Sequence, residues 1–122
     1  MKKVFYFLAI ILCFSCVDSK DDTIQLVTQE EMELLLKQDQ VQLVDVRTVR
    51  EYESGFIGNA QNIDFLSADF ENQIKVLDKS RPVIIYCHSG KRSARCAKKM
   101  KNLGFTKIYD LAGGYSKWNP SN

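Results

Sequence analysis

The chain has 122 residues, 45% of them hydrophobic, a length and composition that suit one domain with a proper core. Its 17 Lys and Arg face 15 Asp and Glu. Because Lys2 and Lys3 lie in an N-terminal segment that reads as removable, the remainder is near neutral, which excludes nucleic-acid binding driven by overall charge.

In chain order, Lys2 and Lys3 precede an apolar run, Val4 to Phe14, and Ser15-Cys16 follows. The run is too short for a bilayer core, which needs about 20 residues, but it suits a secretory signal. The polar stretch 17–22 cannot continue a core. A small residue followed by cysteine resembles the end of a bacterial lipoprotein signal, which implies lipidation of Cys16. Here Cys13 displaces the usual Leu and bulky Phe14 precedes Ser15. Residues 1–15 are therefore expected to be a signal peptide, 16–23 a lipidated N-terminus and polar tether, and 24–122 the domain. Lys20-Asp21-Asp22 is similar to the acidic export signals of some Bacteroidetes lipoproteins. The expected location is periplasmic or outer-membrane, as a lipoprotein of a Gram-negative bacterium. The alternatives are simple cleavage, an uncleaved anchor, or a cytosolic chain with an apolar N-terminal helix.

From Ile24 onward, strand-like and helix-like segments alternate. Ile24 to Val27 is a short strand. Thr28 and Glu31 have capping-box spacing and open a helix through Met32, Leu35 and Leu36 to about Gln38. Val41 to Val46 reads as a buried strand, Thr48 to Glu53 as one or two helical turns ended by Gly55, and Ile63 to Phe65 as a third strand. Ser67 is placed to cap a helix carrying Phe70, Ile74 and Leu77. Val83-Ile-Ile-Tyr86 has no polar alternation, so both of its faces should be covered. Ser93 to Leu103 reads as a helix stopped by Gly104, Lys107 to Asp110 as the last strand, and Gly113-Gly114 as a turn before a short helix near Trp118. This alternation predicts an α/β fold, a mostly parallel sheet with helices on both faces.

Cys13 and Cys16 lie in the signal region, which leaves Cys87 and Cys96 in the domain. Two such thiols are either one disulfide or one reactive and one packed cysteine. Cys87 stands at the carboxyl end of the apolar strand, where open α/β sheets bind ligands. His88-Ser89-Gly90-Lys91-Arg92-Ser93 lie between that strand and the next helix. A loop there curls its backbone N–H groups inward into an anion-binding nest, and Gly90 supplies the freedom to do so. A thiolate in such a cup has a lowered pKa and becomes a nucleophile at neutral pH. The same donors suit the outer sulfur of a persulfide.

Three stretches, "LVDVRTVREYESGFIGNAQNI", "YCHSGKRSARCAKKM" and "YDLAGGYSKW", together resemble the successive signatures of the rhodanese-like domain, single-domain sulfurtransferase type. The resemblance covers about Gln25 to Trp118. It implies the rhodanese-like α/β fold, no cofactor or metal, and a double displacement on Cys87. The thiolate takes the outer sulfur of thiosulfate or a persulfide donor, and a thiophilic acceptor, cyanide or a thiol, removes it. By motif position His88 to Arg92 form the cup with Ser93 at the helix start, and Asp45 and Arg47 brace the site. Lys91 and Arg92 would draw in an anionic donor. A monomer is expected, with a membrane partner only through the lipid. Phe56 stands where the family usually has His, and Asn59 where Gly is common. Glu51 occupies a place that is basic in two-domain thiosulfate enzymes, and an acid there does not help a dianion.

Two rival functions deserve comparison. Cysteine phosphatases and arsenate reductases of this fold place five residues between cysteine and arginine, whereas four separate Cys87 from Arg92. The smaller cup suits a sulfur atom better than a tetrahedral oxyanion. A non-catalytic binding module with this fold would usually lack the cysteine. Cys96 reads as a packed thiol inside the helix rather than a resolving one. His88, the one histidine, lacks the companions a zinc site needs. Arg95, Lys98, Lys99 and Lys101 read as an exposed helix face.

Overall fold

The structure, a computed structural model, describes residues 21–120. The expected signal and Cys16 lie outside the described residues. Five strands, β1 (Ile24–Val27), β2 (Gln42–Asp45), β3 (Gln61–Asn62), β4 (Val83–Tyr86) and β5 (Ile108–Leu111), form one sheet in the order β1-β5-β4-β2-β3. Every pairing is parallel. The helices are α1 (Gln29–Leu35), α2 (Val49–Glu53), α3 (Phe70–Gln73, continued by a 3-10 turn over Ile74–Val76), α4 (Lys91–Asn102) and α5 (Gly114–Lys117).

Strand β4 explains why the core has two halves. Its residues alternate between sheet faces, and all four are buried. Val83 and Ile85, followed by Cys87, join Phe70, Ile74, Cys96, Ala97 and Met100 on the α3/α4 face. Ile84 and Tyr86 join Met32, Ile57 and Leu111 on the opposite face, where Tyr115 and Trp118 close over them. Burial of a full apolar strand on both sides stabilises by about 1.5–3 kcal/mol per large side chain. This fixes β4 at the centre, and Cys87 with it. No helix among the described residues is long and apolar enough to cross a membrane.

Several elements differ from the sequence reading, among them β2, which covers Gln42–Asp45 rather than Val41 to Val46, and α1, which ends at Leu35 rather than about Gln38. The third strand covers Gln61–Asn62 rather than Ile63 to Phe65. Apolar residues mark the core, and here the core contacts begin just after the edge strand, where the Ile63 and Phe65 amides still donate to Asp45 and Val46 carbonyls. Ser67 does not cap α3. It accepts the Asp69 N–H in a local turn, and the helix begins at Phe70. The last strand lies one residue later than expected. Helix α4 starts at Lys91, two residues before Ser93, because Gly90 at φ 109° turns the chain into the helix earlier than its charged residues suggest. Lys91, Arg92 and Ser93 therefore belong to the first helical turn. The loop proper is only His88 to Gly90.

Candidate active site

Cys87 follows the last residue of β4, and the chain folds back over its side chain within three residues. The Gly90 N–H donates to Cys87 Sγ at 3.0 Å, and Ser93 Oγ lies 3.4 Å from the same sulfur. The amides of Ser89 and Ser93 also face it. Burial alone would push this thiol's pKa up. The Ser93 hydroxyl and amide, with the Gly90 and Ser89 amides, outweigh burial and hold it below its ordinary value. The start of the twelve-residue helix α4 adds positive potential from the same side. Cys87 is 1% exposed, so its sulfur forms the floor of the cup, while His88, Ser89 and Lys91 are exposed around the mouth.

The cup's outer wall is held from α5. Tyr115 N–H donates to the Cys87 carbonyl at 2.8 Å and Ser116 N–H to the His88 carbonyl at 2.9 Å. This close approach requires Gly114: at φ 59°, an added Cβ would stand 2.6 Å from Cys87 O and 2.7 Å from His88 O. The sequence reading treated the glycine pair only as a turn. Its function here is to let two backbones touch, turning the Cys87 and His88 carbonyls outward and their neighbours' amides inward.

Asp45 and Arg47 lie one strand away and do not touch the sulfur. Their side chains are 0% and 3% exposed and pair in a fork, Arg47 Nη2 to Asp45 Oδ2 at 2.6 Å and Nε to both carboxylate oxygens at 3.0 Å. Arg47 also donates to the Gly55 carbonyl and lies 4.1 Å over the Tyr115 ring. Burial alone would lower the Arg47 pKa, but the bonds to Asp45 raise it above its already high value. The pair thus locks α5, through Tyr115, against β2. A buried pair in this geometry serves as a rigid brace, since breaking it strands a charge.

Arg92 is ion-paired. It forms a second fork, with Nη1 to Glu51 Oε1 at 2.6 Å and Nη2 to Oε2 at 2.8 Å. The sequence reading expects Lys91 and Arg92 to draw in an anionic donor; the Arg92 guanidinium is paired with Glu51. Glu51, in turn, is held by the capping box of α2, accepting from the Thr48 N–H and hydroxyl. The sequence reading missed this pairing, although the Thr48-x-x-Glu51 spacing signals the box. Of the basic face of α4, Lys99 pairs with Glu71, Lys101 contacts Asp21, and Arg95 lies over Phe65.

Cys96 is fully buried, with its Sγ 3.7 Å from Met100 Sδ, and burial pushes its pKa up to about 12. Cys87 and Cys96 are both free. Asp110 is a further buried polar group that the sequence reading did not single out. The residue is 4% exposed, its Oδ1 has no partner, and burial raises its pKa against the Ser93 hydroxyl, which lowers it. Among the described residues no cluster of His, Cys, Asp or Glu could hold a metal ion.

The "Rhodanese-like domain" family matches residues 28–121. The uncharacterized protein YqhL of Bacillus subtilis is 38% identical over 77 residues, 63% of this chain; the matched region spans 60% of that relative's length. The thiosulfate sulfurtransferase GlpE of Coxiella burnetii is 35% identical over 89 residues, 73% of this chain and 80% of the relative. Among solved structures, the human single-domain sulfurtransferase TSTD1 superposes with a TM-score of 0.64 at 26% identity, covering 76% of this chain and 93% of that one. With the parallel five-stranded sheet and the cysteine cup at its carboxyl edge, these matches identify the chain as a member of the rhodanese-like domain family.

Proposed function

We propose that the protein is a sulfurtransferase that carries a sulfane sulfur on Cys87. The observation that carries this reading is the convergence of the Gly90 amide and Ser93 hydroxyl on one sulfur atom, Cys87 Sγ. In the first half-reaction the Cys87 thiolate attacks the outer sulfur of thiosulfate or an organic persulfide. The donor's S–S bond breaks, and sulfite or a thiolate leaves with the electron pair. The resulting Cys87–S–S⁻ places its terminal negative sulfur among the inward amides, which stabilise it by charge-assisted hydrogen bonds. In the second, cyanide or a thiol attacks that terminal sulfur and Cys87 leaves as thiolate.

The names of the GlpE and TSTD1 relatives support a sulfur-transferring activity. The position where phosphatases and arsenate reductases of this fold place the clamping arginine, with five residues between it and the cysteine, is Ser93 here, which weighs against that chemistry. Asp45 and Arg47 serve as positioning residues through Tyr115. We also propose export and lipid attachment at Cys16, on the sequence pattern alone; metabolic palmitate labelling that persists in Cys16→Ser overturns it. The sulfurtransferase reading is tested with Cys87→Ser, which is expected to retain the fold and lose sulfur transfer from both donors. Transfer at the wild-type rate overturns it.

A further inference from the structure

Resting on the sulfurtransferase reading, the charge at the mouth of the cup bears on which donor it takes. The sequence offers two cations there, Lys91 and Arg92, and both lie in the first turn of α4, where the helix end already carries positive potential. Arg92 commits both terminal nitrogens to Glu51 in a fork, the geometry in which a guanidinium and a carboxylate neutralise each other best. Glu51 is preset rather than recruited, because the Thr48 capping box fixes its carboxylate on a separate element, α2. The hydrogen bonds from Arg92 hold its pKa down to about 2, so the acid is charged at every working pH. Asp64 adds negative potential at Arg92. Lys91 is left as the cation without an ion pair among the described residues, and it is exposed to screening solvent.

We propose that Glu51 is a specificity-determining residue: by neutralising Arg92 it tunes the cup for organic persulfides, whose reacting end carries at most one negative charge, over dianionic thiosulfate. In the favoured step the Cys87 thiolate attacks the outer sulfur of RS–SH. The new S–S bond forms as the donor's breaks, RS⁻ leaves with the electron pair, and it takes up the proton released by the outer sulfur. The products are Cys87–S–S⁻ and RSH, with no net change in the charge held at the cup. Thiosulfate reaches the same intermediate but must bring two negative charges to the mouth and remove two as sulfite. It therefore gains from every unpaired cation, and Glu51 removes one.

The test measures kcat/KM for thiosulfate and for glutathione persulfide in four proteins: wild type, Glu51→Gln, Arg92→Gln and the double variant, each checked for folding by its Tm. Relative to wild type the local charge changes by one positive unit, one negative unit and nothing. At the high effective dielectric of a surface, one unit a few ångström away shifts the thiosulfate-to-persulfide ratio by about tenfold. The ratio is expected to rise about tenfold in Glu51→Gln, to fall in Arg92→Gln, and to return near the wild-type value in the double variant. Glu51→Asp, which keeps the charge, is expected to stay near wild type. An unchanged or lower ratio in Glu51→Gln overturns the proposal. So does equal loss of thiosulfate use in Arg92→Gln and the double variant, since that places the guanidinium on the donor itself. Should Glu51→Gln fail to fold, Arg92→Gln still decides: it leaves Glu51 unpaired and is expected to lower the thiosulfate-to-persulfide ratio, and an unchanged or higher ratio contradicts the proposal. Failure of the wild type to accept sulfur from either donor is a separate outcome, which refutes the sulfurtransferase reading and this proposal with it.

Discussion

Replacing Ser93 with Ala tests how the cup activates its thiol. The hydroxyl is fully buried, lies 3.4 Å from Cys87 Sγ, and contributes the largest of the interactions that lower the Cys87 pKa. The amides of Gly90, Ser89 and Ser93 survive the substitution because they belong to the backbone. What is lost is one hydrogen bond to a charged acceptor, worth about 1.5–3 kcal/mol. At 1.36 kcal/mol per unit, that raises the Cys87 pKa by about one to two units. Alanine also leaves the Gly90 carbonyl without the Ser93 hydroxyl, at 3.2 Å in the wild type, and takes from Asp110 the hydroxyl that holds its pKa down, but removes no packing volume beyond one oxygen. The measurement is thiolate ultraviolet absorbance against pH, with Cys87→Ser as the blank, paired with the acidic limb of the kcat/KM profile. Both should move to higher pH together. An unmoved titration, or one moved to lower pH, refutes the claim that Ser93 stabilises the thiolate.

Gly114→Ala is expected to keep the secondary structure by circular dichroism while sulfur transfer drops at least about tenfold, because the new Cβ would stand 2.6 Å from the Cys87 carbonyl in a left-handed backbone. Wild-type turnover would show that the α5 contact does not shape the cup. Asp45→Asn leaves the buried Arg47 guanidinium without its counter-charge and should cost about 3–5 kcal/mol in denaturant unfolding; a loss under about 1 kcal/mol contradicts the brace. The two acids should act oppositely on stability with pH. Asp110 has a raised folded pKa, so it favours the fold in acid and penalises it as pH climbs through that value. Asp110→Asn should therefore raise Tm at pH 7 more than at pH 4, and the reverse order argues against a carboxyl whose charge is penalised by burial. Glu51, held to about 2, contributes above its unfolded value near 4.5 and loses that contribution as pH falls toward 2. The Tm deficit of Glu51→Gln should accordingly shrink across that acid range, and a deficit that stays constant would mean the capping geometry, not the charge, matters.

Legibility followed the kind of signal each residue gives. The uninterrupted Val83 to Tyr86 run announces a strand buried on both faces, and the parallel sheet follows from its alternation with helical segments. Cys87 at its end was readable for the same reason. The edge strand was misplaced because its residues, Gln61 and Asn62, are polar, and the apolar pattern marks what is buried rather than what is hydrogen-bonded. The start of α4 is hard to read because Lys91 and Arg92 are poor candidates for the positive end of a helix; Glu51, 41 positions before Arg92, offsets that arginine. No local pattern reports a partner that distant. Gly114 and Asp110 were hidden differently: a glycine that permits a close approach looks like one that makes a turn, and a carboxylate oxygen without a partner shows only once the fold covers it.

The central claim is that Cys87 carries a transferable sulfur. Intact mass spectrometry of the purified protein, after brief exposure to thiosulfate or glutathione persulfide, tests it without any assumption about the acceptor. The account predicts a gain of one sulfur atom in the wild type, reversed by cyanide and absent from Cys87→Ser. A gain that persists in Cys87→Ser, or no gain in the wild type with either donor, would contradict it.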